Sequence, residues 1–299
     1  MKKVAVVIDS TCYMSKEEVI KRGYKVIPLS VNFEDTIYKE YHDNGEKSSV
    51  VFDEIYKRKT LPKTSQPTPN DTIKVIQELV DEGYNKIISL HISEELSGTT
   101  QGVKIAATQY LEENNLDIEL VVYSTKAAAQ VSGIIANEID DIVKNSGDIS
   151  NEEIEAVIDY YRKTIEVFFF AEDLNFLHYG GRMPQALAST LKILGVSPVL
   201  TLNENGGIEK YKVERSQKKG LTSVLKNLAK ESYTADDEII LMTAHIKAEK
   251  KAKKVLKMAQ EATKGTLVQS EVSNLGIVIG NHLGPGAFGI GWCKKYKRK

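Results

Sequence analysis

The chain has almost no cysteine: two in 299 residues, Cys12 and Cys293, and neither sits in a CxxC pair. That excludes a zinc ribbon, a thioredoxin-type redox centre and a disulfide scaffold, and it suits a reducing compartment. Neither sign of charge is in excess, since 40 basic residues oppose 41 acidic ones for a net charge of -1. A dedicated nucleic-acid binder carries a basic surplus, and this chain has none. No apolar run approaches the ~20 residues of a membrane-spanning helix. The opening run Val4 to Ile8 is cut by Asp9, too short for a secretory signal. A Walker A loop and a GxSxG elbow are both missing. The expectation is a soluble, cytoplasmic protein with no cofactor or metal of its own.

What is present is a globular composition, 41% hydrophobic and 27% charged, with length enough for two ordinary cores. Val4 to Ile8 reads as a strand buried on both faces. Val26 to Val31, Lys86 to His91 and Ile118 to Tyr123 read as further strands, alternating with helices over about 15–22, 50–59, 69–82, 99–111 and 126–144. The stretch Asn32 to Ser49 is polar and reads as an irregular surface excursion, with His42-Asp43 solvated. Ser, Gly, Asp and Asn crowd into Asn145 to Asn151, the natural boundary. Beyond it come strands at Val167 to Ala171, Pro198 to Leu202, Gly207 to Val213, Glu238 to Met242, Leu267 to Val272, Ile277 to Ile279 and Ala287 to Trp292. Helices fall between them, including Leu174 to Tyr179 and Ala186 to Ile193. The Asn203-Glu204-Asn205-Gly206 turn makes one pair antiparallel. The fold class is therefore α/β in two domains. Residues 1–150 form a mostly parallel βαβ sheet, and residues 151–299 form a mixed sheet.

Function is sought first in Ile92-Ser93-Glu94-Glu95-Leu96-Ser97-Gly98-Thr99-Thr100, which links a strand to a helix. A small polar loop in that position points free backbone N–H groups and hydroxyls at an anion, beyond the carboxyl ends of the strands. Asp9-Ser10-Thr11, Thr64-Ser65-Gln66 and Ser124-Thr125 have similar chemistry and are expected to converge with it. Any one of these is an ordinary helix cap or turn. Together they suit an anion held by neutral donors rather than a metal, which wants His, Cys or carboxylate clusters. A Ser-dependent hydrolase stays open as an alternative, because His91, His245 or His282 could approach Ser97 or Ser65 in space. So do a phosphotransferase acting on a small polar substrate and a small-anion-binding module.

Gly284-Pro285-Gly286-Ala287-Phe288-Gly289 spells GxGxxG, but too few residues follow for a dinucleotide-binding unit. Its dense glycine beside His282 suits a close backbone approach to a ligand. Arg182, after Gly180-Gly181, reads either as a surface residue at a helix break or as an exposed cation on a stiff turn. Lys247, Lys250, Lys251, Lys253, Lys254 and Lys257 crowd one helix, and Lys294 to Lys299 form a basic tail. A solvated face explains them, with transient contact to an anionic membrane surface as the alternative.

Asp9-Ser10-Thr11, Thr64-Ser65-Gln66-Pro67, Leu96-Ser97-Gly98-Thr99, Gly180-Gly181-Arg182 and His282 with Gly284-Pro285-Gly286 resemble the signatures of the DegV family, in family order across nearly the whole chain. These are bacterial fatty-acid-binding proteins. The resemblance implies two α/β domains with a long-chain fatty acid between them. The carboxylate would lie at the interface and the tail in an apolar tunnel mostly in the second domain, with Phe168 to Phe170, Leu187, Leu191 and Ile193 as candidate walls. It also implies a non-catalytic role, as the lipid-binding component of fatty acid kinase. A separate ATP-dependent kinase subunit would phosphorylate the bound carboxylate, and the acyl phosphate would feed phospholipid synthesis. Carried over by position, Thr64, Ser65, Ser97, Gly98 and His282 would bind the carboxylate, and Arg182 would contact the kinase subunit. Two departures stand out. Leu283 replaces the usual Thr after the His, and Cys12-Tyr13-Met14 replaces a small residue followed by Asp-Leu.

Overall fold

The computed structural model describes residues 2–41, 46–58, 60–183 and 196–298. The first domain is built on a parallel sheet of four strands in the order β2-β1-β6-β7: β1 (Val4–Asp9), β2 (Lys25–Ile27), β6 (Lys86–His91) and β7 (Glu119–Ser124). Strand side chains alternate between faces. Ala5, Val7 and Ile87 therefore pack on α3 (Pro69–Asp81) and α4 (Thr99–Glu113). Val6, Ile8, Ile88 and Leu90 face the other way, onto α5 (Gln130–Ser146) and α6 (Asn151–Thr164). Helices on both faces are why these strands read as unbroken apolar runs. The local start signals hold. Thr68 and Asp71 form a capping box with Pro69 in the first turn of α3, and Ser15 and Ser150 cap α1 (Lys16–Arg22) and α6.

The expected strand Val26 to Val31 is in fact two. It breaks at Pro28, and β3 (Ser30–Asn32) leaves for a separate antiparallel sheet in the order β4-β3-β5, with β4 (Ile37–Lys39) and β5 (Lys63–Ser65). The Leu29 N–H, freed by the turn, donates to Ser10 Oγ at 3.1 Å. The polar excursion after Asn32 is thus partly ordered as β4 and the start of α2 (Glu46–Arg58). Phe33 within it, with Leu29 and Val31 before it and Phe52 and Ile55 after it, packs against Leu200, Ala244, Ile246 and Leu275 of the second domain. His42-Asp43, Leu187, Leu191, Ile193, Lys299 and the expected helix Ala186 to Ile193 lie outside the described residues.

The second domain is a mixed six-stranded sheet in the order β10-β9-β8-β13-β11-β12. Its strands are β8 (Glu166–Phe170), β9 (Ser197–Leu202), β10 (Ile208–Glu214), β11 (Glu238–His245), β12 (Thr266–Asn274) and β13 (Phe288–Lys294). The β9–β10 hairpin is antiparallel as expected, and β11–β12 is the parallel pair. Between β8 and β9 stands α7 (Asn175–Tyr179). The outer sheet face, with Phe168, Phe170, Ile290 and Trp292, is covered by α8 (Gln217–Lys230) and α9 (Glu249–Ala262). Lys253, Lys254 and Lys257 on α9 are exposed, Lys253 pairing with Glu249 at 2.6 Å, while half-buried Lys251 pairs with Glu172 at 2.8 Å. The inner face looks toward the first domain.

Helix starts at residues 126 and 247 fail for one reason. Lys126 (φ 52), Ala129 (φ 55) and Lys247 (φ 48) are left-handed, so α5 begins at Gln130 and α9 at Glu249. Ile277 to Ile279, expected as a strand, opens a helix instead, α10 (Ile277–Leu283). A short β-branched run carries no period that tells strand from helix, and here the decisive partners are distant. The Val278 N–H donates to Glu40 Oε2 at 3.0 Å and the Ile279 N–H to the Tyr13 hydroxyl at 3.1 Å.

The chain passes from the first sheet toward the second through a turn fixed by a buried lysine. Lys86 is 2% exposed, and its Nζ donates to Asp148 Oδ1 at 2.8 Å and to the Ile149 carbonyl at 2.7 Å. Burial raises the Asp148 carboxyl, but the bonds it accepts from Lys86, the Ile149 N–H and Lys2 outweigh that and hold it at about 2, against an ordinary 3.8. A depressed carboxyl adds stability above its unfolded value, and that stability is lost as pH falls through the folded one. Lys86→Met should lower unfolding free energy by about 2 kcal/mol in urea titrations at neutral pH. It should also flatten the loss of stability between pH 3.8 and 2. An acid limb identical to wild type would remove Lys86 from this account.

Candidate functional site

A cavity of about 150 Å³ lies between the domains. Its walls are mostly apolar: Ile92, Phe169, Met242, Ala244, Leu275 and Val278 among them. Cavities of this size with aliphatic and aromatic walls stay dry and accept apolar guests. On β13, Gly289 and Gly291 line it while Phe288, Ile290 and Trp292 point to the opposite core. Gly289 and Gly291 add no side chain to that wall, which Val167, Phe169, Met242 and Ala244 of the neighbouring strands supply. A Cβ on Gly291 would come within 2.8 Å of Val167 Cγ2, and one on Gly289 within 3.3 Å of the Phe168 carbonyl oxygen.

Polar groups gather on the same lining: Thr64, Ser65, Gln66, Ser97, Arg182 and His282. Thr64 is on β5, a strand rather than the expected loop, and its Oγ1 lies 2.8 Å from His282 Nε2. Ser65 accepts from Asn32 Nδ2 at 2.6 Å. Ser97, just before α4, lies with its Oγ 2.8 Å from Thr99 Oγ1. Gly98 caps α4 from behind: a Cβ there would overlap the Gln66 amide, and one on Gly102 would come within 2.6 Å of it. Only glycines let Gln66 lie along that first turn. Gln66 belongs to the Thr64-Ser65-Gln66 stretch expected to converge here, although its side chain was not singled out as a binding group.

His282 is on α10, with the ring Nδ1 buried and partnerless among the described residues. Burial, with the Arg182 guanidinium nearby, pushes the imidazole down to about 3, so the ring is neutral at physiological pH. Gly180 makes its position possible, because a Cβ there would overlap Nδ1. Gly284, which ends α10 at φ 76, packs on the Phe176 ring, where a Cβ would come within 2.6 Å.

Arg182 is not the exposed cation that its turn suggested. It is half-buried, donating from Nε and Nη2 to the Leu96 carbonyl at 3.0 and 2.9 Å, and from Nη1 to the Gly180 carbonyl at 2.6 Å. No carboxylate lies within ion-pairing distance of it among the described residues. Burial lowers its pKa.

The expected convergence of four loops is half met. Asp9-Ser10-Thr11 and Ser124-Thr125 are off the lining and work underneath it. Asp9 Oδ2 accepts the Ile92 N–H at 2.8 Å, and Thr125 donates its N–H and Oγ1 to the His91 carbonyl at 2.8 and 2.9 Å. Burial raises the Asp9 carboxyl, but its bonds from His91, Thr11 and Ile92 reverse that and leave it lowered, hence ionised. Ser89 Oγ, 2.7 Å from His91 Nε2, completes a Ser-His-Asp set. All three residues are 0% exposed, so no substrate reaches them. The hydroxyl of Ser97 is paired with Thr99, and His245 lines a separate polar cleft. Neither Ser97 nor Ser65, the hydroxyls of the hydrolase reading, is paired with a histidine in these contacts; the hydroxyl that meets an imidazole on the wall is that of Thr64.

The sequence model described as "Uncharacterised protein, DegV family" matches residues 3–295. The chain belongs to the DegV family. Protein DegV of Bacillus subtilis (strain 168) is 31% identical over 292 residues, covering 98% of this chain and 99% of that one. A fatty-acid-binding DegV family protein from Thermus thermophilus has the same fold, with a TM-score of 0.84 at 28% identity over 98% of this chain and 100% of the other. The structure of Bacillus subtilis DegV, a fatty acid binding protein, matches with a TM-score of 0.79 at 26% identity over 99% and 100%. The DegV neighbours share the two-domain α/β architecture. No described helix is long and apolar enough to cross a membrane.

The two adjacent glycines of the DegV signature Gly180-Gly181-Arg182 serve different ends, which substitution separates. Gly180 has φ −70, so alanine there is a problem of space. Gly181 has φ 72 and open surroundings, so alanine there is a problem of backbone alone. Gly180→Ala should cost about 2–3 kcal/mol by overpacking, with a shift in the His282 ring resonances. Gly181→Ala should cost only about 1 kcal/mol and leave those resonances in place.

Proposed function

We propose that this chain binds a long-chain fatty acid and presents its carboxylate to a separate ATP-dependent kinase subunit, which converts it to an acyl phosphate in the cytoplasm. The observation that carries this reading is the joining of an apolar cavity to a cluster of uncharged donors. Thr64, Ser65, Ser97 and His282 stand on its lining, with Gly98 behind. Relatives that bind fatty acids share the fold over nearly their full length.

The energetics agree. Each methylene moved from water is worth about 0.8 kcal/mol, so a long chain supplies on the order of 10 kcal/mol before ordering costs. The carboxylate costs several kcal/mol to bury unpaired, which hydroxyls and an imidazole N–H offset. Donors without charge leave the oxygen electron pairs available for attack on a phosphoryl group. Arg182 already donates to two main-chain carbonyls at the rim beside exposed Gly181, where the kinase subunit would meet the head group.

Native mass spectrometry of the purified protein, followed by organic extraction, should reveal one long-chain acid per chain. A protein that neither carries nor takes up such an acid overturns the reading. His282→Ala should weaken binding of the acid by about tenfold or more while leaving the matching alcohol within about twofold. Equal losses would remove His282 from the head-group site. Arg182→Ala should abolish acyl-phosphate formation with the kinase subunit while the acid still binds.

The tail is read by the glycines of β13. Gly291→Val places a branched side chain against Val167 and Met242 in the cavity wall. The extracted acids should shift by about two or more carbons toward shorter chains. An unchanged chain-length profile would put the tail elsewhere.

A further inference from the structure

The helix that carries His282 is held from its far end by two residues of the first domain. Glu40, just beyond β4, is 1% exposed. Its Oε2 accepts the Val278 N–H at 3.0 Å, and its Oε1 accepts the Tyr13 hydroxyl at 3.1 Å. The Tyr13 oxygen in turn accepts the Ile279 N–H at 3.1 Å. These are first-turn N–H groups of α10, which have no acceptor within the helix. A carboxylate at that end also opposes the positive pole of the helix.

The fit is specific on three sides. Gly276 precedes α10 with an ordinary φ of −73, so its lack of a side chain is a matter of space. A Cβ there would overlap Glu40 Oε2 and come within 2.6 Å of Tyr13 Cε1. Tyr13 itself is left-handed at φ 49, a conformation that costs a residue other than glycine about 1 kcal/mol or more. Its hydroxyl, and no other part of it, reaches α10 by hydrogen bond. Tyr13 also belongs to the stretch Cys12-Tyr13-Met14, where the sequence leaves the family pattern.

The other end of α10 meets β5. Asn281 Nδ2 donates to the Pro62 carbonyl at 2.9 Å, and His282 Nε2 meets Thr64 Oγ1 at 2.8 Å. Seven residues make a rod about 10 Å long. A rod this short transmits a shift at its first turn to the residue on its last.

We propose that Tyr13 and Glu40 are positioning residues for the head-group site: by fixing the first turn of α10 they set His282 against Thr64 and the bound acid. This rests on the fatty-acid reading above, but the placement of the ring can be tested without any ligand.

The test uses the full chain with Tyr13→Phe, a deletion of one oxygen, and Glu40→Gln. Nitrogen-15 spectra of the His282 ring in ligand-free protein should shift in both variants at neutral pH. Affinity for hexadecanoic acid should fall by about tenfold, with hexadecan-1-ol affected by less than about twofold. Adding His282→Ala to either variant should bring little further loss beyond His282→Ala alone, since coupled residues are non-additive. Folded variants with unmoved ring resonances, or with equal losses for acid and alcohol, overturn the proposal. If wild type binds neither lipid, the fatty-acid reading fails, and the ring spectra still decide whether Tyr13 and Glu40 place His282.

Discussion

One buried carboxylate fixes the point where the two central strands of the first sheet end. Asp9 has no exposed surface, and its four acceptor contacts are with Ile92, His91 and Thr11. An ionised group in that setting must have its lone pairs filled. Filling them ties the end of β1 to the backbone of the segment that leaves β6. Ser97 and Gly98 are a few residues farther along that segment, and Arg182 from the other domain closes on its Leu96 carbonyl. The first family motif therefore acts one layer below the cavity, as the floor on which the polar lining stands.

The cavity exists because two surfaces that could have met do not. On the inner face of the second sheet, Gly289 and Gly291 alternate with residues that fill the outer core, so β13 fills its outer layer and leaves a gap on the inner face between Phe169, Met242 and Ala244. Close packing would ordinarily erase such a gap. It survives because Leu29, Val31, Phe33, Phe52 and Ile55 of the first domain pack beside it, and because α10 is pinned at both ends. A connection that looked like a polar excursion is part of the wall of the second domain.

Sequence patterns specify what is local. The capping of α3, the strand β1 and the β9–β10 turn are each written within a few residues, and each appears where expected. What sequence could not specify depends on partners far along the chain. The helix at Ile277 needs Glu40 and Tyr13, more than 230 residues away. The break at Pro28 needs a second sheet to receive β3. Gly180, Gly276 and Gly291 are glycines for reasons of space, set by His282, by Glu40 and by Val167. A sequence lists such glycines but not their neighbours. Arg182 was misjudged in the same way, since a residue beside Gly180-Gly181 looks exposed until the Leu96 carbonyl is placed against it.

The electrostatics of the lining favour a carboxylate that stays reactive. A protonated imidazole or a free guanidinium would bind an acid more strongly, but each would draw electron density from the oxygens that, on the proposed reading, attack phosphorus. Here the imidazole is held neutral by burial and by the nearby Arg182 charge, while Arg182 spends three donor contacts on main-chain carbonyls. The positive charge is therefore present at the rim without a carboxylate partner among the described residues. A single negative charge on the acid would feel it weakly, and the additional charge of an arriving phosphoryl group would feel it more. On the proposed reading, the same arrangement would hold the acid loosely at its head, firmly by its tail, and would favour the more highly charged state through which transfer passes.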